Sequence, residues 1–78
     1  MNQNEIFNIL KDIAKKNNIS INNTHLNVEL KKIGVDSLQG INLIIQVEEK
    51  CHVTIPDDDL VKIKTPADII NIIIKLQK

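Results

Sequence analysis

Apolar positions fall at helical spacing in three stretches of this chain. Across residues 3–17, Ile6, Ile9, Leu10 and Ile13 follow the i, i+3, i+4, i+7 pattern of one buried helix face. Asn2, with Glu5 three residues later, has the form of a capping box, and Asn4 is an alternative cap. Residues 37–51 read as a second helix, opened by Asp36 as a good N-cap. The last helix is the clearest. Thr65 caps it, Pro66 takes the first helical position and Asp68 stands three residues past the cap. Its face is Ile69, Ile70, Ile72, Ile73 and Leu76, and Lys75 and Lys78 suit its C-terminal end. The run Ile72-Ile73-Ile74 alone would pass for a buried strand; the Thr-Pro cap and the flanking spacing decide for helix.

Between the first two helices, residues 18–35 are rich in Asn, Ser and Thr (Asn18, Ser20, Asn22, Asn23 and Thr24 among them) and show no sustained period. A connection this long is uncommon in a small domain and usually has a structural job. Ile19, Ile21, Leu26, Val28 and Leu30 are expected to pin it onto the helices, with a short turn at residues 30–33 before Gly34. A short helical turn is expected at residues 57–62, where Pro56 precedes Asp57, Asp58 and Asp59, acids that complement a helix start. The predicted fold class is all-α: an antiparallel bundle of three main helices plus one short helix, with a long connection between helices one and two. One domain spans residues 1–78.

The second helix has two apolar arcs. At about 100° per residue from Ser37, Leu43, Val47, Cys51 and Ile44 share one arc, from about 240° to 340°. Leu38, Ile41 and Ile45 share another, from about 40° to 100°. One arc suffices to face a core. The second either packs on the long connection or stays exposed to meet another protein. Glu48 lies beside that second arc and Ser37 stands at its head. Asp36 serves as cap, which leaves Ser37 free to point outward at a helix end that favours negative charge.

Composition narrows the function. A chain of 78 residues buries only roughly 60% of its unfolded surface, too little for a scaffold and a deep substrate cavity together. Cys51 is the only cysteine, so no disulfide framework is possible. No apolar run approaches the roughly 20 residues of a membrane helix, and MNQNEIFNIL lacks a signal-peptide pattern. A reduced, cytoplasmic protein without membrane contact is expected. There is no Arg, Trp or Tyr and the net charge is zero, which argues against nucleic acid. That zero is unevenly built: residues 36–59 hold six acids against Lys50, net −5, between Lys-rich ends. Such asymmetry steers encounters with a basic partner, although a solvated helix face is the simpler reading of a charge run alone.

The segment Gly34-Val35-Asp36-Ser37-Leu38, followed by Leu43, Glu48-Glu49, Ile55-Pro56-Asp57, Lys62-Ile63 and Thr65-Pro66, resembles the acyl carrier proteins of fatty-acid and polyketide synthesis. The resemblance is strong over residues 30–70. It implies that Ser37 receives a covalent 4′-phosphopantetheine arm from coenzyme A, attached by a separate Mg²⁺-dependent phosphopantetheinyl transferase. Asp36 would help position the metal and phosphate during that transfer. The arm's thiol then holds acyl groups as thioesters, and its reach raises their effective concentration at each enzyme. The resemblance further implies docking of acyl-transferring and condensing enzymes on Leu38, Ile41, Ile45, Glu48, Glu49 and Asp57, a monomeric chain, and an acyl chain lodged among the helices. The chain departs from the fatty-acid-type pattern at Gln39 and Asn42, where acids are usual, and at Gly40, which costs about 1 kcal/mol inside a helix relative to Ala and would allow a close backbone approach in the core or at a partner. An aminoacyl or peptidyl carrier and an unmodified helical adaptor are the alternatives.

No residue set points to intrinsic catalysis or to a metal. Cys51 lies on the core arc, where single cysteines behave as small hydrophobes. His25 and His52 with one Cys do not make a zinc framework, and His52 suits a helix C-terminus. His25, in the connection, is a poor base for Ser37.

Overall fold

The computed structural model describes residues 1–77, so Lys78 lies outside the described residues. Helix α1 spans Gln3–Lys16. Its cap is Asn2: Asn2 Oδ1 accepts from the Glu5 N–H at 2.9 Å, and Glu5 Oε1 accepts from the Asn2 N–H at 3.0 Å. Reciprocal satisfaction of two end donors places the start at Asn2 and leaves Asn4 inside the helix. At the other end Asn17 Nδ2 donates to the Ile13 carbonyl at 2.7 Å, and Asn18 takes the left-handed conformation that Asn tolerates (φ 62°). Ile6, Phe7, Leu10, Ile13 and Ala14 are buried.

The connection from Ile19 onward is ordered by local caps and by two backbone bonds to a segment distant in sequence. Asn22 Oδ1 accepts from the Thr24 N–H at 2.9 Å and His25 Nδ1 accepts from the Asn22 N–H at 3.2 Å, closing a 3₁₀ turn at Asn23–His25. His25 is thus spent on its own turn. A four-residue helix, α2 (Leu30–Ile33), follows and ends at Gly34, whose φ of +100° a side chain rarely adopts. The Ala67 N–H donates to the Leu26 carbonyl at 2.9 Å and the Leu30 N–H to the Lys64 carbonyl at 2.8 Å, so the connection lies against the segment that opens the last helix. Ile19, Ile21 and Leu30 are buried and Leu26 packs against the core. Val28 is half-buried and does not join the core, contrary to its expected pinning role.

Helix α3 (Ser37–Cys51), short α4 (Asp57–Leu60) and α5 (Pro66–Leu76) complete the bundle. The short helix stops at Leu60 rather than 62, because Lys62 and Ile63 donate to Asp59 and Leu60 in tight turns at 3.1 and 3.2 Å. Thr65 and Asp68 cap α5 reciprocally, at 3.2 and 3.1 Å. Helix α1 packs on both α3 and α5, which also touch each other. Ile6, Leu10, Leu43, Val47, Ile69 and Ile73 form the fully buried centre. The three main helices are those expected, and the turn before Gly34 adds a second short helix. His52 ends α3 in the left-handed conformation (φ 57°), its N–H bonded to the Glu48 carbonyl.

Candidate functional site

Ser37 is the first residue of α3 and is exposed. The residue before it does the capping: Asp36 Oδ1 accepts from the Gln39 N–H at 2.8 Å, and Gln39 Oε1 accepts from the Asp36 N–H at 3.3 Å. Ser37 is therefore not needed for the cap, and it is exposed at the positive end of a 15-residue helix. Gly34 lets the chain reverse immediately upstream. This arrangement matches what a phosphodiester at Ser37 requires: an accessible oxygen, and N–H groups and a dipole favouring negative charge.

A cavity of about 280 Å³ opens beside Ser37, between α2, the first turns of α3 and the turn after α4. Leu30, Val35, Ile44, Leu60 and Ile63 contribute apolar lining, and Asp36 and Ser37 lie on it as well. Gly40 also lines it, but a Cβ there would sit 3.7 Å from Val35 Cγ1, an ordinary contact. The expected close backbone approach at Gly40 is thus not found within the chain.

The two arcs of α3 separate cleanly. Leu43, Ile44, Val47 and Cys51 are buried, whereas Leu38 (70%), Ile41 (43%) and Ile45 (43%) are exposed. The second arc therefore stays largely open, a face running away from Ser37, although Ile41 also lines the cavity with Leu30 of the connection. Val61, 78% exposed at the end of α4, is a further bare aliphatic that the sequence pattern did not single out. Glu49 and Asp57 are exposed. Glu48 is half-buried, and its Oε2 accepts from the Ile55 N–H at 2.6 Å, so one of its oxygens holds the turn after α3. Burial pushes the Cys51 thiol up from its ordinary pKa. No cluster of three or more His, Cys, Asp or Glu able to hold a metal occurs among the described residues, and no helix there is long and apolar enough to cross a membrane.

Comparison with known proteins accounts for this geometry. The family model for the phosphopantetheine attachment site matches residues 4–73. Over 66 residues the chain is 46% identical to an acyl carrier protein homolog of Ureaplasma parvum, covering 85% of this chain and 86% of that one. The chain belongs to the acyl carrier protein family. It is also 33% identical over 79 residues to the acyl carrier protein of Lactobacillus acidophilus, covering 94% of each. The crystal structure of the Thermotoga maritima acyl carrier protein superposes with a TM-score of 0.86 at 26% identity, covering 99% of this chain and 92% of that one. Membership brings the family's prosthetic group, phosphopantetheine. It also places the chain among carriers of acyl groups.

Proposed function

We propose that Ser37 bears the 4′-phosphopantetheine arm and that the chain shuttles acyl thioesters between the enzymes of fatty-acid or polyketide-type synthesis in the cytoplasm, without catalysis of its own. One observation carries this reading: an exposed serine at the first position of α3, relieved of capping by Asp36 and set beside an apolar cavity. In loading, Ser37 Oγ attacks the phosphorus on the pantetheine side of the coenzyme A pyrophosphate. The bond from that phosphorus to the bridging oxygen breaks, the adenosine 3′,5′-bisphosphate leaves with that oxygen and its electron pair, and the hydroxyl proton passes to a base on the transferase. Asp36, its Oδ1 held by the Gln39 N–H, would offer its second oxygen to the metal that carries the phosphate in that encounter. The arm, once attached, supplies a thiol on which acyl groups ride as thioesters. Leu38, Ile41 and Ile45 are the apolar contact for partner enzymes, with Glu49 and Asp57 as acidic flanks and Glu48 dividing its carboxylate between partner and turn. Neutral Gln39 and Asn42, both exposed beside that face, favour as second reading an aminoacyl or peptidyl carrier.

The test is intact mass after incubation with coenzyme A, Mg²⁺ and a broad-specificity phosphopantetheinyl transferase. The wild type gains one arm and Ser37→Ala gains none. An arm that persists in Ser37→Ala overturns the assignment to Ser37, and a wild type that stays unmodified leaves only a helical adaptor.

A further inference from the structure

Two lysines line the cavity beside Ser37, and nothing so far has used them. Lys31, in α2, and Lys64, in the turn before α5, are both exposed, and both line the cavity that Ser37 lines. Their backbones are fixed although their side chains are free to reach. The Leu30 N–H donates to the Lys64 carbonyl at 2.8 Å, and the Lys64 N–H donates to Asp68 Oδ2 at 3.0 Å. Two carboxylates share the lining. Asp36 Oδ1 accepts from the Gln39 N–H at 2.8 Å, and its second oxygen competes with Glu29 for the two lysines. A phosphodiester on Ser37 Oγ would place a negative charge at this cavity, where a lysine acts as a point charge with three donors.

We propose that Lys31 and Lys64 clamp the phosphate at the root of the arm and so direct the arm over the cavity instead of along the exposed face of α3. This rests on the reading that Ser37 bears the arm. Exposed ion pairs are weak singly, so each lysine shifts the ratio of clamped to free arm by roughly 1.5- to 5-fold, and salt screens the effect.

Load the full-length chain, Lys31→Gln, Lys64→Gln, the double variant, Lys31→Arg with Lys64→Arg, and Glu29→Gln, and confirm each by intact mass and circular dichroism. Then record the ³¹P resonance of the arm and ¹H–¹⁵N spectra across a salt titration. The expected result is a wild-type ³¹P shift displaced from that of a phosphopantetheinyl-serine peptide and moving toward it with salt. Each Gln substitution reduces that displacement, by an amount that corresponds to a roughly 1.5- to 5-fold lower ratio of clamped to free arm, the Arg pair restores it, and Glu29→Gln enlarges it. A loaded double variant with the wild-type resonance and salt dependence overturns the clamp alone. A wild type that takes no arm overturns the Ser37 assignment and the clamp together.

Discussion

Asp36 combines two roles that one pair of substitutions separates. Its carboxylate caps α3 through the Gln39 N–H at 2.8 Å, and it stands next to the residue proposed to be modified. Asp36→Ala removes the cap and orphans that N–H, at a cost of about 1 kcal/mol. Asn caps as well as Asp, so Asp36→Asn keeps the bond to Gln39 and loses only the favourable charge at the helix start, about 0.3–1 kcal/mol. For a domain of this size 1 kcal/mol corresponds to roughly 4–8 °C in Tm. Thermal unfolding followed by circular dichroism reads the first role, and the rate of arm attachment reads the second. Asp36→Asn is expected to unfold above Asp36→Ala yet to load as slowly, at least tenfold below wild type. If Asp36→Asn melts with Asp36→Ala, the cap is not what the side chain contributes. If it loads at the wild-type rate, the carboxylate has no part in transfer.

Gly40→Ala is expected to stabilise α3 by about 0.5–1 kcal/mol in denaturant titration, since the added Cβ meets only Val35 Cγ1 at 3.7 Å; destabilisation would mean that the backbone needs glycine there. Ile41→Asp changes an exposed position, so stability should stay within about 0.5 kcal/mol, while acyl transfer to partner enzymes falls at least tenfold; unchanged transfer would remove this face from docking. Cys51 should resist alkylation in the native state and react on unfolding. Because its folded pKa is raised, the unfolded chain gives up this proton first as pH rises past roughly 8.5. Stability should therefore be full below that pH and decline above it, and Cys51→Ala should flatten the decline.

The helices were legible because their signals are local. Asn2 with Glu5, Asp36, and Thr65 with Asp68 each cap within one turn, and the two arcs of α3 follow from residue spacing alone. What sequence could not show depends on contacts between distant segments. Glu48 sits on the wheel beside the apolar arc, but its bond to the Ile55 N–H exists only because the chain reverses at His52. Val61 is bare because α4 ends at Leu60 and Ile63 turns into the cavity, an outcome set by turn bonds and not by periodicity. Lys31 and Lys64 line one cavity through the Leu30–Lys64 backbone bond, for which no nearby residue gives a signal. Gly40 shows the reverse case: a helical glycine suggested tight packing, and the neighbouring side chain leaves room.

The central claim concerns one hydroxyl, and fragment masses address it most directly. Digest the loaded chain and sequence the arm-bearing peptide by tandem mass spectrometry. The arm should localise to Ser37, within Gly34–Leu38. Localisation to Ser20, the other serine, or to a threonine would contradict it.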